Sequence, residues 1–510
     1  MISTADQLSG KGCAREGWST LDLVLFVSLL VVAIAHRMST LGPLIYWPDT
    51  IGYWTQARQI SEGLAYSTEF HRASRLGVVL PLALFQRLAG TTVAEFYLFS
   101  ALQSIAQVAL VFLVARIYAG PWCATLAGAL FLGWSLEDFD GSYITADGVA
   151  GVWVGLSFYL MALYSVRGKG AAYAYLSAMA LACAYLTKIT SAFFIPGLLL
   201  MWLRRNPRWY RDRWAVCFLA LATASFIAVE RILLVLVTGA GHSVLSLTER
   251  TYGRSGKLKP LSLGEFLLRP LELPTEQFVW FACAISLCVI FLSWKALRAR
   301  SESLLLVAST LFLLALFYTP RSLVPLTPAA LIRPRYYSAV LPILSVAIVV
   351  GVRAALGCLP LQHHFHRWGR IFALAVLSYV GSISLLRAPT GVQTFQNVLL
   401  TASTTAEAYQ RGETIFAKRN RAGKYLLNAT RWLLIPGPGE PPSMREEEAV
   451  YVVRRPDSLP SEPQRCLHIV GAVKERARRN KLNQLVKVAE LPSSGKTYLR
   501  SEYVGPERCP

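Results

Sequence analysis

Residues 171–203 read AAYAYLSAMALACAYLTKITSAFFIPGLLLMWL, an apolar stretch with one lysine, Lys188, near its middle. As a single helix it would run roughly 50 Å at 1.5 Å per residue, against a membrane core of roughly 30 Å. It lies between two basic clusters, Arg167 with Lys169 and Arg204 with Arg205, Arg208, Arg211 and Arg213. Such clusters favour the cytoplasmic side, and a single pass would put one of them outside. The stretch is therefore expected to enter at 171, turn at Thr187-Lys188-Ile189-Thr190 and return by 203, with Lys188 at an outward-facing tip.

The rest of the chain follows that topology. A hydrophobic content of 54% over 510 residues is too apolar for a soluble domain. Further spans are expected at 21–38, 94–118, 121–136, 143–166, 214–238, 276–297, 303–319, 336–353 and 369–387, each bounded by charge, Pro or Gly. With the hairpin this makes a polytopic α-helical membrane protein of about 11 transmembrane helices, the N-terminus inside and the C-terminus outside. Lys11 and Arg15 precede the first apolar run as in a signal peptide, but no small-residue cleavage site follows Arg37, so the run is read as a retained span.

Four polar segments then fall on the outer face: 39–93, 137–147, 239–275 and 318–335. In the first, Tyr53, Ala57, Ile60 and Leu64 recur at helical spacing, and 76–89 is apolar but too short to span. Both are expected to lie along the membrane surface. Composition shifts near residue 388, giving two domains, 1–387 in the membrane and 388–510 outside it. The second carries Pro436, Pro438, Pro441 and Pro442 and strand-like runs at 449–454 and 466–473, which read as a small mixed α/β domain. Two of the nine cysteines, Cys466 and Cys509, fall there; a disulfide between them is left open, and only an oxidising compartment would allow it.

The net charge of +21 would indicate nucleic acid in a soluble protein. Here inside loops and anionic lipid headgroups account for most of it, and no nucleic-acid partner is expected. His363, His364 and His366 lie in such a loop and read as headgroup-facing. Outer-side cations remain unexplained by that account: Arg72, Arg75, Arg250, Arg254, Lys257, Lys259, Arg321, Arg333 and Arg335. An anionic ligand on the outer face is the economical reason, and guanidinium forks match phosphate oxygens. Lys188, at membrane depth, needs a partner of its own. The second outer segment is the opposite, with Glu137, Asp138, Asp140 and Asp147. Clustered carboxylates call for a metal, a cation or a shared proton, so Asp138 and Asp140 are candidates for a divalent metal, although no cofactor is assigned. With Asp49 they make an acidic site beside a cationic one. That pairing suits transfer of a group from a phosphate leaving group to a hydroxyl, with a carboxylate taking the proton.

The order of these motifs carries a resemblance. A lone first span is followed by Pro48-Asp49 with Tyr53 and Ala57, by Arg72 and Arg75, by Ala146-Asp147 heading a span, by Leu186-Thr187-Lys188, and by Arg333-Pro334-Arg335-Tyr336-Tyr337 before Pro342. Over residues 20–390 this resembles the GT-C membrane glycosyltransferases of bacteria, most of all the family-39 and aminoarabinose-transferase-like group. The resemblance implies transfer of a sugar from a polyprenyl-phosphate donor, with inversion, to a glycan, lipid or protein acceptor outside the inner membrane. It implies Asp49 as general base, Asp147 as second acid, and Lys188 and the Arg335 region facing the lipid phosphate, with Tyr53, Arg72, Arg75, Arg333 and Tyr336 lining the substrate. Two departures stand out. Thr50 follows Asp49 where many relatives carry a second acid, and Arg72-Ala73-Ser74-Arg75-Leu76-Gly77 replaces an Arg-Pro-Pro-Gly turn. The competing readings are a transporter or lipid flippase, which would show internal repeats and broken midplane helices, and an oligosaccharide ligase using a diphosphate lipid.

Overall fold

The computed structural model describes residues 17–41, 48–63, 75–134, 141–206, 213–238, 260–294, 297, 300–323, 326–328, 334–357, 368–389, 392, 489–490 and 497–498. Helix α1 (Thr20–Thr40) opens on a capping box in which Ser19 Oγ accepts from Asp22 N and the Asp22 carboxylate accepts from Ser19 N at 2.7 Å. Two helices of the first polar segment, α2 (Pro48–Ser61) and α3 (Leu76–Ala89), pack on each other. Helix α4 (Val93–Ala119) turns into α5 (Pro121–Leu132) at Gly120, whose φ of 77° a side chain would disfavour. Then come α6 (Ala146–Ser165), α7 (Ala171–Thr187), α8 (Ile195–Arg205) and α9 (Arg213–Thr238). Short α10 (Leu263–Leu267) leads to α11 (Thr275–Ser293), α12 (Glu302–Tyr318), α13 (Leu341–Leu356) and α14 (Trp368–Pro389).

Hydrogen bonds sort the helix junctions onto two ends of the bundle. At one end Arg116 bridges to Asp22 at 3.0 Å and to the Gly17 carbonyl, Arg205 donates to the Gly168 and Lys169 carbonyls, Arg204 to that of Arg300, and Arg353 to that of Tyr118. Since Arg205 returns beside residues 164–169, the chain from 171 to 205 is the expected hairpin, entering and leaving at the same end. Pro196 explains its second half: proline lacks an amide N–H and suits the first turn of a helix, so α8 starts afresh at Ile195 behind the 3-10 turn Ile189–Phe194. At the opposite end Ser142 Oγ donates to the Thr40 carbonyl at 2.8 Å, His36 Nδ1 meets Ser384 Oγ at 3.0 Å, and Arg269 donates to the Phe317 carbonyl.

Among the described residues six helices are long and apolar enough to cross a membrane: α1, α4, α6, α9, α11 and α14. The expected total of about eleven also needs α5, α7, α8, α12 and α13, which at 11–17 residues fall short of the roughly 20 of a full crossing. Two expected starts move inward. The span expected from 143 begins at Ala146, where Thr145 caps it, and the one expected from 336 begins at Leu341 because Pro334–Tyr337 winds as a 3-10 turn. The polar segment 318–335 holds a hairpin that was not expected, Pro320–Leu323 against Leu326–Pro328. Beyond residue 392 the described elements are the antiparallel strands Ala489–Glu490 and Thr497–Tyr498. The runs at 449–454 and 466–473, Cys466, Cys509 and the histidines of 363–366 lie outside the described residues.

Candidate active site

Lys188 occupies the joint of the hairpin. Its own amide closes α7 on the Ala184 carbonyl at 2.8 Å, and its carbonyl accepts from Ser191 to open the 3-10 turn, which leaves Lys188 itself extended at φ −155° and ψ 121°. The Lys188 ammonium donates to Asp147 Oδ1, and its Nζ stands 3.8 Å above the centroid of the Tyr336 ring. Lys188 is 7% exposed and Asp147 4%. Each charge offsets the desolvation of the other, and the ring face adds a cation–π attraction.

Asp147 is fixed from its own side. It stands in the first turn of α6, where the helix dipole favours a negative charge, and Thr145 Oγ1 accepts from Gly148 N at 2.9 Å to cap that turn. Tyr336 is held by the 3-10 turn Pro334–Tyr337, which packs against α6. The described acid, base and ring thus come from three separate segments of the chain.

The first-loop helices cover this end of the bundle. Gly77, at the start of α3, lies so close to α7 that a Cβ would stand 2.2 Å from Thr187 Oγ1 and 2.3 Å from the Cys183 carbonyl oxygen. Trp153 of α6 donates to the Gly77 carbonyl at 3.1 Å. These contacts seat Gly77 against Thr187, the residue before Lys188. Arg75 donates to the Tyr53 hydroxyl of α2, and Gln86 to the Trp54 carbonyl at 3.1 Å. Gly77→Ala is expected to force α3 off α7 and cost about 1–3 kcal/mol, the range for overpacking. Thermal unfolding in detergent measures it, and an unchanged midpoint would contradict the close approach.

The structure brings together Asp147, Lys188 and Tyr336, and separately Tyr53 and Arg75. The Asp49 backbone is in the first turn of α2 and that of Arg335 in the 3-10 turn; the side chains of both lie outside the described residues, as do Arg72, Arg333, Asp138 and Asp140 altogether. Glu62 accepts from Arg58 at 2.5 Å. Lys188 was expected to face a phosphate, and within the protein its ammonium meets the Asp147 carboxylate. Among the described residues no group of three or more His, Cys, Asp or Glu side chains could hold a metal. In the sequence Arg37 is no more than a charge near the end of the first span. It is 3% exposed and packs on Gly141, where a Cβ would overlap its guanidinium. Its position three residues before the end of an apolar helix resembles that of any interfacial arginine, so spacing alone could not mark it.

Residues 77–230 match the family model for dolichyl-phosphate-mannose-protein mannosyltransferase. No curated protein sequence matches the chain. Among solved structures the chain resembles the ArnT of Cupriavidus metallidurans bound to undecaprenyl phosphate, with a TM-score of 0.50 at 14% identity, over 84% of this chain and 89% of that one. The apo form of that protein aligns with a TM-score of 0.48 at 15% identity, over 79% and 84%. An Archaeoglobus fulgidus oligosaccharyltransferase tethered with an acceptor peptide aligns with 0.42 at 11%, over 76% and 57%. In fold the chain is similar to ArnT, and its residues 77–230 are similar to the mannosyltransferase family model.

Proposed function

We propose that the chain transfers a sugar from a polyprenyl-phosphate donor to a hydroxyl-bearing acceptor, a glycan, lipid or protein, with inversion. The observation that carries this is the Asp147–Lys188 pair, buried under the Tyr336 ring at the end of the bundle opposite the arginine-rich junctions. Asp49 takes the acceptor proton as the acceptor oxygen attacks the anomeric carbon. The bond from that carbon to the phosphate oxygen breaks, and the phosphate leaves on its lipid. Arg75, Arg335 and Lys188 balance the charge that grows there. On this reading Arg72, Arg333 and Tyr53 complete the substrate wall, and Asp138 and Asp140 are the carboxylates left to hold a cation.

The same reading places the protein in a bacterial inner membrane as eleven spans, counting the short α5, α7, α8, α12 and α13. The N-terminus is then cytoplasmic and the domain 388–510 periplasmic. The distribution of Lys and Arg among the junctions supports that orientation.

Purified protein in proteoliposomes, given a polyprenyl-phosphate sugar and an envelope extract as acceptor, is expected to release the lipid phosphate and yield a glycosylated product by mass spectrometry. Solute or lipid movement without any glycosyl product would favour the transporter reading. Turnover only with a diphosphate-linked donor would favour the ligase.

A further inference from the structure

One face of α4 is polar although the helix is apolar enough to cross a membrane. Ser100, Gln103, Ser104 and Gln107 recur at helical spacing and all are buried. Gln107, 4% exposed, ends this stripe at the level of the acidic turn. Its Nε2 donates to the carbonyl of Gly148, the residue after Asp147. The same amide is in contact with Gly151, one turn further along α6, where a Cβ would lie 3.1 Å from Nε2 and 3.4 Å from the carbonyl oxygen of Ser338. Ser338 is two residues from Tyr336. The Gln107 amide therefore meets the turn that carries Asp147, beside the segment that carries Tyr336.

We propose that Gln107 is a positioning residue for the transfer site, tying the first turn of α6 to α4 so that Asp147 meets Lys188 in one geometry. A carbonyl in the first turn of a helix already accepts from the amide four residues on. The additional bond from Gln107 uses its second lone pair, and serves to fix the turn laterally rather than to form it. Lipid offers no competing donor, so nothing else at that depth restores the bond once the amide is gone. Gly151 has the complementary role, since any side chain there would push the amide away. The inference rests on the proposed part of Asp147 in the reaction.

The test uses the full chain in proteoliposomes with a polyprenyl-phosphate sugar. Gln107→Met keeps the side chain's length and removes the donor. It is expected to lower turnover by about 10- to 100-fold, the order produced by misplacing a reacting group by about 1 Å, with KM for the donor within about twofold of the parent. Gln107→Glu keeps the reach and donates only when protonated. Asp147 and Lys188 are the charged groups beside it among the described residues, and the parent carries them too, so its turnover is taken relative to the parent at each pH. That ratio is expected to rise as pH falls. Parental turnover in Gln107→Met overturns the proposal. So does a Gln107→Glu ratio that stays flat with pH, which would leave Gln107 with a packing role. Asp147→Asn separates the two layers: if it transfers at the parental rate, the reading of the site itself has failed. If it is inactive while Gln107→Met is not, only the present inference has.

Discussion

Lys188→Met is expected to lower stability by about 3–5 kcal/mol and to stop transfer, and adding Asp147→Asn is expected to restore most of the stability and none of the transfer. The single change keeps the length of the side chain and the contact with Tyr336 while leaving the Asp147 carboxylate buried with its counter-charge removed. Removing one member of a buried pair costs far more than the pair contributes, because the remaining ion still has to be desolvated. With asparagine opposite methionine no buried ion is left, so the penalty disappears while the chemistry stays lost. Thermal unfolding in detergent and a donor-release assay read the two effects separately. Equal stability of Lys188→Met and parent would mean that the pair is not buried as an ion pair. Transfer by the double variant would mean that neither charge takes part in the reaction.

The hairpin shows what was legible in the sequence and why. Two basic clusters separated by about 33 apolar residues admit few solutions in a membrane, and the structure adopts the one that returns Arg205 beside Gly168. Lipid thickness and loop charge act on the chain one segment at a time, so a linear reading captures them. The helical spacing of Tyr53 and Ala57 was legible for the same reason, since it is a local property; that both are buried inside the protein was not. The site is different. That Lys188 needed a partner followed from the cost of a cation in lipid, but that Asp147 would be the partner did not. The two are 41 residues apart and meet only because α6 and α7 pack along their lengths. Gln107 and Arg37 were missed on the same ground. Their roles come from what another helix places against them, Gly148 in one case and Gly141 in the other.

The pairing of Asp147 with Lys188 also sharpens the second large expectation, that Asp49→Asn abolishes transfer and leaves folding intact. The Asp147 carboxylate is engaged by the buried Lys188 ammonium, and service as the base would break that pair. Asp147 is thereby suited to holding Lys188 and the acidic turn in place, and Asp49 is the remaining carboxylate that the proposed mechanism requires as base. The backbone supports the structural half of the prediction. Helix α2 starts at Pro48, so Asp49 is the second residue of the helix and not the residue before it. There its charge gains about 0.3–1 kcal/mol from the helix dipole, which asparagine gives up, and the fold can bear that loss. Proline at the first position keeps the helix start in either case. The loss of a general base is expected to lower turnover by about 10²–10⁴-fold. The variant's unfolding midpoint and its yield in the membrane fraction should match those of the parent, while release of the lipid phosphate falls by that factor. Full turnover in Asp49→Asn, with Asp147→Asn inactive, would transfer the role of base to Asp147 and require Lys188 to give up its partner during the reaction.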